Sequence, residues 1–228
     1  MKFGDLRGIL HYVPQFRGRT FVLAVDGEIV ASPNWANICL DLAVLHSLNV
    51  RLVIVHGASH QVRALAGARN VEITNADGSG VTDEATLEVS IDAITRLTNK
   101  VMQDLTTVGL RAATANALIA HRAGVVSGVD LQHTGDVGRV DAKSLRVFLE
   151  DNMIPLVAPL AYDGRGNTLR VNSDMAATET ALALKADKIL FVTDGDLPPT
   201  LGLSLRHLST QDAEHLLGDT RQAHGLKG

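Results

Sequence analysis

Residues 51–62, RLVIVHGASHQV, constrain this chain more than any other stretch. Residues 52–55 are uniformly apolar, as in a strand buried on both faces, and they run straight into His56, Gly57, Ala58 and Ser59. From Ser59 onward Gln61, Val62 and Leu65 take up helical spacing. The same order occurs one unit earlier. Residues 20–25, TFVLAV, read as a strand, and Asp26, Gly27 and Glu28 as the turn at its end. Trp35, Ile38, Cys39, Leu42 and Leu45 then keep helical spacing after a cap at Ser32 or Asn34. Two successive strand–turn–helix units return to one sheet through right-handed crossovers, so the strands are expected to be parallel. Ligands of such sheets bind beyond the carboxyl ends of the strands, where both turns lie. A small-residue turn lets backbone approach an anion, and the first N–H groups of the helix point at the same spot. Phosphate or carboxylate is the expected guest, although the same turn also serves simple strand–helix packing.

Composition narrows the function classes. At 228 residues the chain can bury a full core, and 46% apolar with 4% aromatic content suits a sheet-and-helix interior of Val, Ile, Leu and Ala. A net charge of −4, from 21 basic and 25 acidic residues, gives no general attraction to nucleic acid or anionic membrane, so a small-molecule ligand is favoured. The lone Cys39 lies in an apolar helical pattern and reads as a core thiol, which suits a reducing cytoplasm. No apolar run approaches the ~18 residues of a membrane span, and the first ten residues lack a signal-peptide core; a cytoplasmic location is expected.

Along the rest of the chain, residues 5–17 place Leu6, Ile9, Leu10 and Val13 on one helical side before Pro14. Residues 67–81 are rich in turn formers, with Asn75, Ala76, Asp77 and Gly78 as a hairpin or exposed loop. Thr82 is expected to start a long helix with Asp83 and Glu84 in its first turn and Leu87, Ile91, Ile94, Val101 and Leu105 along one stripe. Residues 110–120 read as one strand interrupted by Asn116, and 124–140 as hairpins. Asp141 caps a helix, 154–158 is a strand, 163–167 a tight turn, and 168–171 lead into Asn172, Ser173 and Asp174, which cap an alanine-rich helix. Residues 189–193 form a last strand, and Ser209 or Thr210 caps a final helix. His56 and His60 straddle a turn without a third ligand, so no metal site is expected.

The order of these pieces resembles the amino-acid kinase family, within it the N-acetylglutamate kinases and the kinase-like domain of N-acetylglutamate synthases. Residues 10–22, LHYVPQFRGRTFV, resemble the family's LPYI-x-x-FRGKTFV; His56-Gly57 resembles its HGGGPQ loop; Val81-Thr82-Asp83 resembles RVTD; Val171-Asn172-Ser173-Asp174 resembles VNAD; and residues 189–194, ILFVTD, resemble the strand that begins the nucleotide lobe. The resemblance implies an α/β fold, a three-layer αβα sandwich with a mainly parallel central sheet. It also implies an acyl-amino-acid lobe over about residues 18–170 and the start of a nucleotide lobe over 171–228, the rest of that lobe and any acetyltransferase domain falling past the end. It places Asp174 as the catalytic carboxylate, Gly27, Gly57, Thr193 and Asp194 at the nucleotide, and His56, Ala58, Gly80, Arg170 and Asn172 at the acyl-amino acid.

Several positions depart from the family pattern. The kinases open their first turn with lysine, an apolar residue and two glycines, where this chain has Ala24-Val25-Asp26-Gly27. A cation is lost at Ala24 and a carboxylate gained at Asp26, and two like charges ~4 Å apart at an effective dielectric near 20 repel by roughly 4 kcal/mol. Gly57-Ala58-Ser59-His60 stands in place of Gly-Gly-Gly-Pro, Gly80 in place of the arginine that clamps the substrate carboxylate, and Arg170 in place of an asparagine. The first expectation is therefore a catalytically degenerate, regulatory and oligomer-building domain of an N-acetylglutamate synthase-like protein in arginine biosynthesis, a homo-oligomer whose ligand is N-acetylglutamate, glutamate or arginine. The second is an active N-acetylglutamate kinase using ATP and Mg²⁺, with Lys188, Arg170 or residues past 228 handling the phosphate charge. The third is an interaction module without ligands.

Overall fold

The computed structural model describes residues 16–193. Strand β1 (Thr20–Val25), a short helix α1 (Gly27–Ala31) and α2 (Trp35–Ser47) lead to β2 (Arg51–His56), then α3 (Ser59–Arg69), the long α4 (Glu84–Thr107) and β3 (Ala112–Thr114). Next come β4 (Leu118–Arg122), a small hairpin β5 (Val125–Val126) and β6 (Val129–Asp130), β7 (Gly135–Val140), α5 (Ala142–Glu150), β8 (Ile154–Val157), the hairpin β9 (Leu160–Tyr162) and β10 (Thr168–Arg170), α6 (Ser173–Leu184) and β11 (Lys188–Val192).

The central sheet has the order β11-β1-β2-β8-β3, and every pairing in it is parallel. Its inner strands are apolar throughout because both faces are covered. Phe21, Leu23 and Val25 alternate with Val22 and Ala24 along β1, the first set packing with Leu52, Ile54 and the α2, α3 and α4 side, the second with Val53, Val55, Val157 and the α5 and α6 side. The second layer also holds a four-stranded sheet of order β10-β9-β4-β7, mostly antiparallel. The fold is thus an α/β three-layer sandwich around a mainly parallel sheet, as the resemblance implied. Strand β11 pairs with β1 along all five of its residues and forms one edge of the sheet.

Local departures from the sequence reading have identifiable causes. Residues 27–31 are helical because Ile29 and Val30 turn inward to the core directly after the strand. Residues 110–120 are two strands, since Ala115 and Asn116 carry the chain from the parallel sheet into the antiparallel one. The cap of α4 is Asp83, whose carboxylate accepts the Thr86 N–H at 2.8 Å, and Thr82 is a bridge residue before it. Asp141 and Asn172 cap α5 and α6 as expected. Cys39 is buried, and that burial, helped by nearby Asp104, pushes its thiol up to about 11, in keeping with a core thiol. The expected helices at 5–17 and beyond Ser209 fall wholly or largely outside the described residues, as does Asp194.

Candidate functional site at the strand ends

Pairing of Val25 with His56 sets the ends of β1 and β2 side by side, so Asp26 and Gly57 are neighbours across the sheet. The Gly57 N–H donates to the Val25 carbonyl at 2.8 Å and the Asp26 N–H to the Val192 carbonyl at 3.0 Å. The amino end of α6 closes over the same spot: a Cβ on Gly57 would lie 3.0 Å from Ser173 Oγ and 3.5 Å from Asp26 Oδ1. Gly27 is tighter still. A Cβ there would run into Gln61 Oε1 and stand 2.9 Å from the Gly57 carbonyl oxygen, while Gln61 Nε2 donates to the Gly27 carbonyl at 2.7 Å. This close approach demands glycine at position 27, where backbone is met, and leaves a side chain little room at position 57.

The charge gathered here is negative. The Asp174 carboxyl is pushed above the usual carboxylate range by partial burial, then by the charges of Asp26 and Asp77. Asp77 reaches the site through the 75–79 loop, in which its own N–H donates to Asn75 Oδ1 at 3.2 Å and it accepts from the Ser79 N–H and hydroxyl at 2.9 and 2.8 Å. These carboxylates do not come together as a chelating group among the described residues.

Neither cation the sequence offered is available to them. Lys188 opens β11 at the opposite, amino end of the sheet, level with Phe21, where its Nζ lies 4.6 Å from the Phe16 ring centroid and 5.7 Å from that of Phe21. Arg170 is 2% exposed and spends its guanidinium on backbone, donating from Nη1 to the Asn75 carbonyl at 3.0 Å and from Nη2 to the Ala76 carbonyl. Burial draws it down to about 10, with Asp77 opposing, so it stays charged near neutrality.

His56 is fully buried and faces α4. Thr98 Oγ1 gives its one proton to the Ile94 carbonyl at 2.8 Å, so its 2.8 Å contact with His56 Nε2 has the histidine donating, and Nδ1 is left without a partner. Burial pushes the imidazole down to about 4, the Gly57 backbone weakly opposing, which keeps it neutral. Ala58, 4% exposed, precedes α3, and Asn172 caps α6 through Oδ1 while its Nδ2 donates to the Asp77 carbonyl at 3.2 Å. Gly80 lies in the loop, its carbonyl accepting from Thr134 Oγ1 at 2.5 Å, and a Cβ on it would meet Asn75 Cβ at 2.6 Å. Thr193 follows β11 at the same sheet end.

The structure therefore brings Asp26, Gly27, Gly57, Ala58, Asn172 and Asp174 together, with Arg170 and Gly80 holding the loop above them. The amino acid kinase family's sequence profile matches residues 19–196. The chain belongs to the amino acid kinase family. An amino-acid acetyltransferase of Pseudomonas fluorescens is 38% identical over 97% of this chain, and this chain spans about half of it, 54%. Two structures of N-acetylglutamate synthase from Neisseria gonorrhoeae, at 28% identity, superpose on it. The one complexed with coenzyme A and L-arginine has a TM-score of 0.82, covering 95% of this chain and 53% of its own; the one complexed with coenzyme A and N-acetyl-glutamate has 0.79, covering 86% and 46%.

Within this amino acid kinase domain, sequence reasoning passed over Asp77, Gln61 and Ser173. Asp77 reads as a turn residue, and no local signal reports that its loop lands 95 residues away on Asn172. Gln61 was legible only as a helix position, and its bond to Gly27 depends on how α1 and α3 meet.

Proposed function

We propose that this chain is a catalytically degenerate amino acid kinase-like domain with a regulatory and oligomer-building role in an N-acetylglutamate synthase-like protein of arginine biosynthesis, acting in the cytoplasm. The observation that carries this reading is the charge at the strand ends. Burial and then the charges of Asp26 and Asp77 raise the proton affinity of Asp174 there, while Lys188 sits at the far end of the sheet and Arg170 is tied to backbone. Phosphoryl transfer depends on cations and N–H groups arranged around the migrating group. Three carboxylates, with Lys188 and Arg170 committed elsewhere, fit a triphosphate poorly. Similarity to amino-acid acetyltransferases, proteins that extend well beyond the length of this chain, supports the same reading.

Calorimetric titration with ATP-Mg²⁺, N-acetylglutamate, glutamate and arginine tests it. The expected outcome is heat from an amino acid and none from the nucleotide; nucleotide binding with turnover of N-acetylglutamate would establish the active kinase instead, and silence from all four the ligand-free module. The double substitution Ala24→Lys with Asp26→Gly is a second arm. Ala24 lies in the apolar cluster that includes Ala176 and Ala177 of α6, so the lysine must thread between β1 and α6 to restore a cation at the turn. Gained ATP affinity in the folded double variant is expected.

A further inference from the structure

The pocket that lies between the second turn and the 75–80 loop is lined by Ala58, Ser59, Asp77, Arg170, Val171 and Ser173 among others, and its volume is only about 10 Å³. One water needs ~10–15 Å³ and a small-molecule site ~300 Å³ or more, so the loop is shut down on the strand ends. Four contacts hold it there. Arg170 donates to the carbonyls of Asn75 and Ala76, Asn172 Nδ2 to that of Asp77 and Thr134 Oγ1 to that of Gly80. Gly78, at φ +86°, passes so close to the β10–α6 connection that a Cβ on it would stand 2.7 Å from the Val171 carbonyl oxygen.

Arg170 differs from Asn172 and Thr134 in being a charged side chain, 2% exposed, that makes two of the four bonds, both to main-chain oxygens of the loop. A guanidinium withdrawn from water needs acceptors that are themselves withdrawn from water, and two successive carbonyls match its fork. The guanidinium head anchors the loop through these two bonds. Gly80 is required by the loop itself, since a Cβ there would meet Asn75 Cβ at 2.6 Å.

We propose that Arg170 is an internal occupant of this pocket, a positioning residue that latches the 75–80 loop across the strand ends and excludes acyl-amino acids from them. This goes beyond the function proposed above, because a domain can lose phosphoryl transfer and keep an open amino-acid pocket. An amino acid that regulates this domain then binds elsewhere on it.

The test is hydrogen–deuterium exchange on the full chain, following peptides that span 70–82, with peptides spanning 20–25 and 51–56 reporting the sheet. In Arg170→Met, which keeps the apolar stem, loop amides are expected to exchange at least tenfold faster while the sheet is unchanged, with Arg170→Lys between variant and parent. Loop exchange unchanged in a folded Arg170→Met protein overturns the proposal. The parent protein supplies a measurement independent of any variant's folding. Saturating N-acetylglutamate is expected to leave residues 58–62 and 170–173 unprotected, and protection of both segments overturns the latch. Protection without ATP turnover defeats the latch alone, whereas protection with turnover defeats the degenerate reading as well.

Discussion

The two ends of the central sheet handle charge differently. At the amino end Arg19 pairs with Asp187 at 2.8 Å, Arg111 with Asp151 at 3.1 Å, and Lys188 lies over two phenylalanine rings. At the carboxyl end the chain assembles Asp26, Asp77 and Asp174 around two close turns, with Gly27 pressed against the Gly57 carbonyl. In a parallel sheet only the carboxyl end meets the open amino ends of helices, so that is where an anion would be bound. The contrast teaches that the sheet keeps the architecture of an anion site while its charges are sorted against one.

Acid should break the carboxyl end first. His56 is held neutral, with its affinity for protons lowered from 6.5 to about 4 by complete burial. Its contribution is full above pH 6.5 and lost as pH falls through about 4, at most about 3 kcal/mol by linkage. Urea unfolding between pH 7 and 4 should show that slope, and a flat profile would mean the imidazole is open to water. Asp174 acts with the opposite sign: its raised affinity lets it shed a repulsion as pH falls, which blunts the slope slightly.

Gly27→Ala should cost about 2–3 kcal/mol, because the added methyl meets Gln61 and the Gly57 carbonyl together and one of them is backbone. Chemical denaturation checks this, and a loss under 1 kcal/mol would show that the turn yields. Asp174→Asn should stabilise the protein, by about 0.5 kcal/mol once the side chain's exposure is allowed for, with the gain shrinking in 0.5 M salt (an ionic strength that shortens the screening length well below ~8 Å). A loss on this substitution would mean that the carboxylate has a partner that outweighs Asp26 and Asp77. At the other end Arg19→Ala, which breaks an exposed pair, should leave the melting temperature within about 2 °C of the parent.

Much of the architecture was legible because it follows from local rules. The parallel sheet followed from two consecutive strand–turn–helix units, and the caps at Asp141 and Asn172 from side chains that bond within their own turn. The split of residues 110–120 was not legible, since both halves are apolar and only their partners differ, β8 for one and β7 with β9 for the other. The site was legible in part for the same reason. Asp26, Gly27, Gly57 and Asp174 stand at element ends, which sequence locates well, whereas the direction in which Arg170 and His56 point depends on what packs against them.

Sequence alone determined the order of the elements, the glycines at the turns and the acidic side chain at Asp26, because each is a property of a residue and its immediate neighbours. Tertiary structure alone decided that Lys188 lies at the wrong end of the sheet, that Arg170 serves a loop 94 or 95 residues earlier, and that Asp77 joins Asp26 and Asp174. The reason is physical: where a charge ends up depends on strand direction and on which distant backbone can satisfy it once water is gone, and neither quantity exists before the chain has folded.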